Sequence, residues 1–148
     1  MTVFTEIEQE ALDIDWFFTN NEYVGFCASG GGLLPPSVVK SKENNELLRS
    51  YFNDLPERSE TIINPLLDKT IENPDERYLF SFIEMAKKGI FAFDRTMLEN
   101  HLDPNYHLVA TPVNPIRIQE LPSEILKVLS DTVYGDNMEA GINISFFR

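Results

Sequence analysis

The chain has 148 residues and a net charge of −12, from 12 Lys and Arg against 24 Asp and Glu, a length that suits one domain with a real core and a charge that disfavours binding to phosphate backbones. Hydrophobic residues make up 43%, enough to argue against disorder, while no apolar run approaches the roughly 18 residues of a membrane span. The acidic N-terminus lacks the positive region of a signal peptide, and the single cysteine, Cys27, cannot form an internal disulfide, which together point to a reducing, cytoplasmic setting.

The first structured stretch is Ala11–Pro36. Side chains of a strand alternate between its two faces, so Leu12, Ile14, Trp16 and Phe18 are expected to face the core. Asp13, Asp15 and Phe17 then share the outer face. Thr19-Asn20-Asn21-Glu22 reads as a hairpin loop, because Asn tolerates positive φ and closes turns with its side chain. Tyr23–Ala28 is the returning strand, and Gly25 within it suggests a bulge or a close approach by another group. Ser29-Gly30-Gly31-Gly32 ends the hairpin. Such a run serves either as a backbone-NH cradle for an anion or as a flexible crossing from sheet to helix. It carries no adjacent lysine and fits neither established phosphate-loop pattern, which favours the crossing.

Ser37–Ser41 suits a single helical turn, with Ser41 as cap for a helix over Lys42–Asn53 whose stripe is Leu47, Leu48, Tyr51 and Phe52. Pro65–Ile71 reads as a short helix. Pro74–Lys88 is the clearest one, with Asn73 as N-cap, Pro74 at the first position and Gly89 beyond its end. Ile90–Asp94 is apolar on both sides and should be an interior strand. His107–Thr111 follows as a strand antiparallel to it, and Ile116–Ile118 as an edge strand. Leu121-Pro122-Ser123 opens a helix with Ile125, Leu126 and Leu129 inward, and Ile142–Phe146 alternates like a final strand. The fold class is α+β: an antiparallel sheet of about five strands with three to four helices packed on it, in a single domain over residues 1–148.

Candidate chemistry is sparse. His101, His107 and Cys27 match no zinc spacing, so no metal and no cofactor is expected. Asp13 and Asp15 could split their pKa values as an acid–base pair or hold a divalent cation, yet paired acids on the wet face of a hairpin are ordinary. Cys27 lacks the sequence context of a nucleophile and reads as a small core residue. Asp94-Arg95, at a strand end, marks either a site or a structural ion pair. Residues 1–39 hold six acids and no Lys or Arg. Aromatics rimmed by acids suit an interface for a basic protein, which assigns partner contact to Asp13, Asp15, Phe17, Glu22 and Tyr23.

The run Asp15–Phe18 (DWFF), the turn after it, and Ser29–Pro36 (SGGGLLPP) resemble small bacterial proteins akin to the acidic immunity proteins of polymorphic toxin systems. That resemblance, over the first third of the chain, implies a cytoplasmic partner-binding role without cofactor or catalytic residues. The expectation is a non-catalytic protein-binding domain, monomeric or weakly dimeric, that neutralises a basic toxin partner. The alternative is a small-ligand-binding protein or enzyme whose pocket adjoins the Gly30–Gly32 loop and Asp94.

Overall fold

The computed structural model describes residues 2–71, 73–139 and 141–147. Its centre is a six-stranded mixed sheet. Strands β1 (Asp15–Thr19) and β2 (Val24–Ala28) form the hairpin, with Trp16 opposite Cys27 and Phe18 opposite Gly25. Strand β3 (Thr61–Ile63) is short; β4 (Phe91–Arg95), β5 (Asn105–Pro112) and β6 (Ile142–Asn143) complete the sheet. The order is β1-β2-β4-β5-β3, and β6 pairs with β5 beside β3. Pairing is antiparallel except between β2 and β4, which run parallel. The expected antiparallel sheet is therefore corrected to a mixed one. A parallel neighbour needs a long crossover, and residues 29–90 supply it.

Helices α1 (Glu6–Ala11), α2 (Pro36–Val39), α3 (Lys42–Asn53), α4 (Glu76–Lys87) and α5 (Ser123–Leu129) surround the sheet. Ser41 caps α3 through the amide of Asn44, as its position before the apolar stripe requires. Helix α4 starts later than its prolines suggest. Asn73 takes a left-handed φ of 49° and Asp75 is the cap, accepting from the Tyr78 amide. Helix α1 has a reciprocal capping box between Thr5 and Glu8, a signature present in T-E-I-E but masked by the acidity of the segment. Between Pro65 and Ile71 only a 3-10 turn forms, at Leu67–Lys69. Ile116–Ile118 contributes one bridge, from Arg117 to Tyr23, before a 3-10 turn at Ile118–Glu120. Ile142–Phe146 is strand for two residues and then turns into a 3-10 segment. Among the described residues no helix is long and apolar enough to cross a membrane.

Both faces of the sheet are buried. One packs Phe17, Val24, Phe26, Ala92 and Val109 against Leu48 and Phe52 of α3, Phe82, Met85 and Ala86 of α4, and Ile125 and Leu129 of α5. The other packs Trp16, Phe18, Phe93, Tyr106 and Leu108 under Leu34, Val38, Met138 and Phe147. Phe17 therefore does not stand on an outer surface. It is 1% exposed and its ring lies 4.8 Å from that of Phe52. A hairpin with solvent on one side alternates; this one is apolar on both faces because α3 covers the second. Leu12 departs the other way, lying outside β1 and 49% exposed. Gly25 marks no bulge. A Cβ there would come within 2.2 Å of the Phe18 ring, so the glycine makes room for its cross-strand partner.

Candidate functional site

The hairpin turn and its free end lie at opposite ends of β1, which divides the expected contact residues into two places. Asn21 adopts φ 75° at the turn, and Asn20 accepts from the amides of Glu22 and Tyr23. Glu22 is held by Arg117 at 3.3 Å, and the Arg117 guanidinium lies 5.5 Å over the half-buried Tyr23 ring, whose centroid is 5.5 Å from that of Phe91. The protein's own cation thus neutralises this end. Five residues away, Asp13 and Asp15 lie at the other end, without ion pairs among the described residues.

There the sheet register builds a row. Asp15 is opposite Ala28, Ala28 opposite Asp94, and Asp94 opposite His107, across β1, β2, β4 and β5. Cross-strand partners share a face, so these side chains all point toward α4. The small Ala28 leaves space between Asp15 and Asp94. That space is a pocket of about 270 Å³ lined by Asp13, Asp15, Ala28, Gly30, Tyr78, Ser81, Phe82, Asp94 and Leu98. Asp13 and Asp15 also border a depression on the α3 side, with Arg49 and Lys42 in its wall.

Asp94 is buried and well bonded. Its Oδ2 accepts from the Tyr78 hydroxyl at 2.8 Å and its Oδ1 from the Arg95 amide at 3.0 Å. Tyr78 has one proton and gives it to Asp94, so its oxygen accepts from His107 Nε2 at 3.3 Å. His107 Nδ1 then accepts from the Thr96 hydroxyl at 3.1 Å, which fixes one neutral tautomer. Burial lowers the His107 pKa to about 4. Burial raises Asp94 to about 6; the Tyr78 and Arg95 hydrogen bonds pull it down, the Asp13 charge pushes it up, and the Arg95 charge opposes that push. Asp15 is likewise raised to about 6 by burial and then by Asp13, against a lowering by Arg49. Tyr78 is pushed far up by burial and by Asp94.

The glycine run is built around a cation. Arg95, on the opposite face of β4 from Asp94, is 1% exposed. Its Nε donates to Ser29 O at 2.7 Å, one terminal nitrogen donates to the carbonyls of Met97 and Asn100, and the other donates to those of Gly30 and Leu98. All five guanidinium N–H donors thus meet main-chain carbonyls, so the expected ion pair with Asp94 is replaced by a staple of the main chain. Gly30 and Gly31 take left-handed φ of 51° and 82°, and a Cβ on Gly32 would lie 2.3 Å from the Arg95 side chain. The amides of Gly30, Gly31 and Gly32 are spent on Asp13 Oδ1, Leu12 O and Ser29 O, and His101 donates to Gly31 O. Ser29 itself is buried, its hydroxyl accepting from the Ile14 amide. With the three glycine amides engaged and the Ser29 and Gly30 carbonyls turned on a guanidinium, the run crosses from β2 toward α2 with none of those amides left to cradle an anion.

His101, His107 and Cys27 are not brought together. Cys27 is fully buried on the Arg95 face, where burial raises its thiol well above the usual range, and His107 points to the α4 face. Among the described residues no group of three or more His, Cys, Asp or Glu is arranged to hold a metal ion. In the sequence His107 is a candidate only as a metal ligand, Arg95 only as the neighbour of Asp94, and Tyr78 carries no signal of a site. Only the register of β4 against β2 and β5 makes them neighbours of Asp15 and the glycine run. No family model, curated protein or solved structure matches the chain.

Proposed function

We propose that this is a non-catalytic binding domain for a basic protein, and that contact is made at the free end of the β1–β2 hairpin rather than along its outer face. One observation carries the reading. Asp13, Asp15 and Asp94 converge on one pocket, and none of the three is ion-paired among the described residues. Carboxylates left without an internal ion pair are available to an external cation, and their field speeds its approach. The acidity of residues 1–39 and the resemblance to immunity proteins favour a toxin-like partner, inhibited by covering its basic cleft. Phe17 is withdrawn from the contact set, and Glu22 and Tyr23 belong to the paired end.

Co-purification with the product of the adjacent gene, at low and high salt, tests the reading. A complex that weakens with salt and with Asp13→Lys/Asp15→Lys supports it; no complex, or one indifferent to both, refutes it. A second reading, a small cationic ligand, is favoured by the pocket's size, near the lower end of the roughly 300–1,000 Å³ of small-molecule sites, and by Gly30 and Asp94 in its wall. A strong rise in melting temperature with a small amine and no protein partner would select it.

A further inference from the structure

We propose that the pocket receives a single arginine side chain of the partner, its guanidinium bridging Asp15 and Asp94 while the apolar residues flanking that arginine lie on Leu98 and its neighbours in the β4–β5 loop. The inference rests on the protein-binding reading and deepens it.

Three features converge. The first is spacing. Asp15 and Asp94 stand on the same face two strands apart, with Ala28 between them. Two inter-strand steps separate their Cβ atoms by roughly 9–10 Å, and side chains of a sheet stand roughly perpendicular to it. A planar guanidinium donates from three nitrogens in divergent directions and can meet two separate carboxylates at once, whereas an ammonium donates from a single point. The second is acceptor capacity. No group among the described residues donates to the Asp15 carboxylate, and Asp94 takes only the Tyr78 hydroxyl and the Arg95 amide, leaving lone pairs on both oxygens.

The third is the rim. Leu98 lines the pocket and is 52% exposed; it packs over Gly30, where a Cβ would come within 2.6 Å of it. Met97 and Leu102 are exposed on the same loop, and Leu12 is exposed where its carbonyl accepts from Gly31. A pocket of unpaired acids bordered by exposed apolar side chains is complementary to a basic residue with apolar flanks, the arrangement of an interface anchor. The loop does not need ordering on contact, because Arg95 already holds the carbonyls of Met97, Leu98 and Asn100, and Asp103 accepts from the Met97 amide. Such preorganisation lowers the entropic cost of binding.

The test uses the full chain and blocked single amino acids as probes: N-acetyl-arginine methylamide, with the corresponding lysine and citrulline compounds. Backbone amide resonances are followed at low ionic strength. The expected result is saturable shifts centred on Ala28, Gly30 and Ser81, with the arginine probe at least about fivefold tighter than lysine, a difference of about 1 kcal/mol, and citrulline inert. Asp15→Asn should weaken the arginine probe about tenfold, checked against an unchanged Trp16 indole resonance as the mark of an intact fold. Equal affinity for lysine, shifts centred elsewhere, or no effect of Asp15→Asn overturns the inference. Should any of these occur while the salt-sensitive complex with the basic partner persists, the protein-binding reading stands and the pocket assignment alone falls.

Discussion

Replacing Arg95 with methionine retains an unbranched, apolar stem and removes all five guanidinium donors. Of the carbonyls left behind, Ser29 O is the buried one; it keeps the Gly32 amide and loses only the net worth of one bond, roughly 0.5–1.5 kcal/mol. The other four, at Gly30, Met97, Leu98 and Asn100, lie where water can reach them, so each loses only the net worth of its bond, roughly 0.5–1.5 kcal/mol. Relief from burying a charge, several kcal/mol in the opposite direction, offsets part of the sum. The balance is a loss on the order of 3 kcal/mol, carried in the loops rather than in the sheet. Urea unfolding measures the total and amide hydrogen exchange locates it. Protection should fall at residues 29–32 and 97–103, while that of Phe26 and Phe93 tracks the global change only. Arg95→Lys, which keeps the charge but offers three donors from one point, should fall in between. A loss below about 1 kcal/mol for Arg95→Met with unchanged exchange at Gly30 and Leu98 would refute the staple.

Gly32→Ala should be as damaging as the loss of Arg95, since the new Cβ meets the arginine side chain at 2.3 Å; thermal unfolding of the variant measures this, and a change within about 0.5 kcal/mol would contradict it. Between about 5 and 6 the pH dependence of stability is dominated by three buried groups; the exposed Glu8, Glu43 and Glu120, held below the usual carboxylate range by their hydrogen bonds, act in the opposite sense mainly below this window. Asp15 and Asp94, raised to about 6, hold protons in the folded state that the unfolded state has released, so each makes stability fall as pH rises through this window. His107, lowered to about 4, holds fewer protons folded than unfolded and makes stability rise. Two against one gives a net fall in the wild type, a rise in Asp15→Asn/Asp94→Asn, and a steeper fall in His107→Gln, all readable from urea midpoints across the window. Thr61 Oγ1 is buried without a hydrogen-bond partner among the described residues; Thr61→Val should therefore stabilise by about 1 kcal/mol and raise the melting temperature by roughly 2–4 °C.

Much of the fold is legible because it is local. The hairpin follows from the alternation of Leu12–Phe18 and the two asparagines, α3 from Ser41 and its apolar stripe, and β4 from a run apolar on both sides. These signals lie within one turn or one strand, where propensity and periodicity act. Helix α4 shows the limit of the same reasoning: Asn73 and Pro74 have the residue types of a start, yet Asp75 supplies the oxygen that accepts from Tyr78, and a cap is chosen by geometry among adjacent candidates.

What the chain order alone could not decide is who stands beside whom. Phe17 reads as an outer residue until α3 is known to cover that face. The parallel pairing of β2 with β4 depends on a 62-residue crossover, and strand order across such a distance leaves no local mark. That one pairing places Asp94 beside Asp15, and His107 beside Asp94, so the acidic pocket is a product of register. Sequence by itself determined that Asp13 and Asp15 are carboxylates without a nearby lysine or arginine along the chain. Tertiary structure decided that no lysine or arginine among the described residues forms an ion pair with them, Arg49 acting on Asp15 only through its field, because Arg117 is drawn to Glu22, Lys42 to Glu8, and Arg95 to the carbonyls of the glycine loop. Coulomb attraction and hydrogen bonding act through space, and the spatial neighbours of a charge are fixed only once the strands have paired.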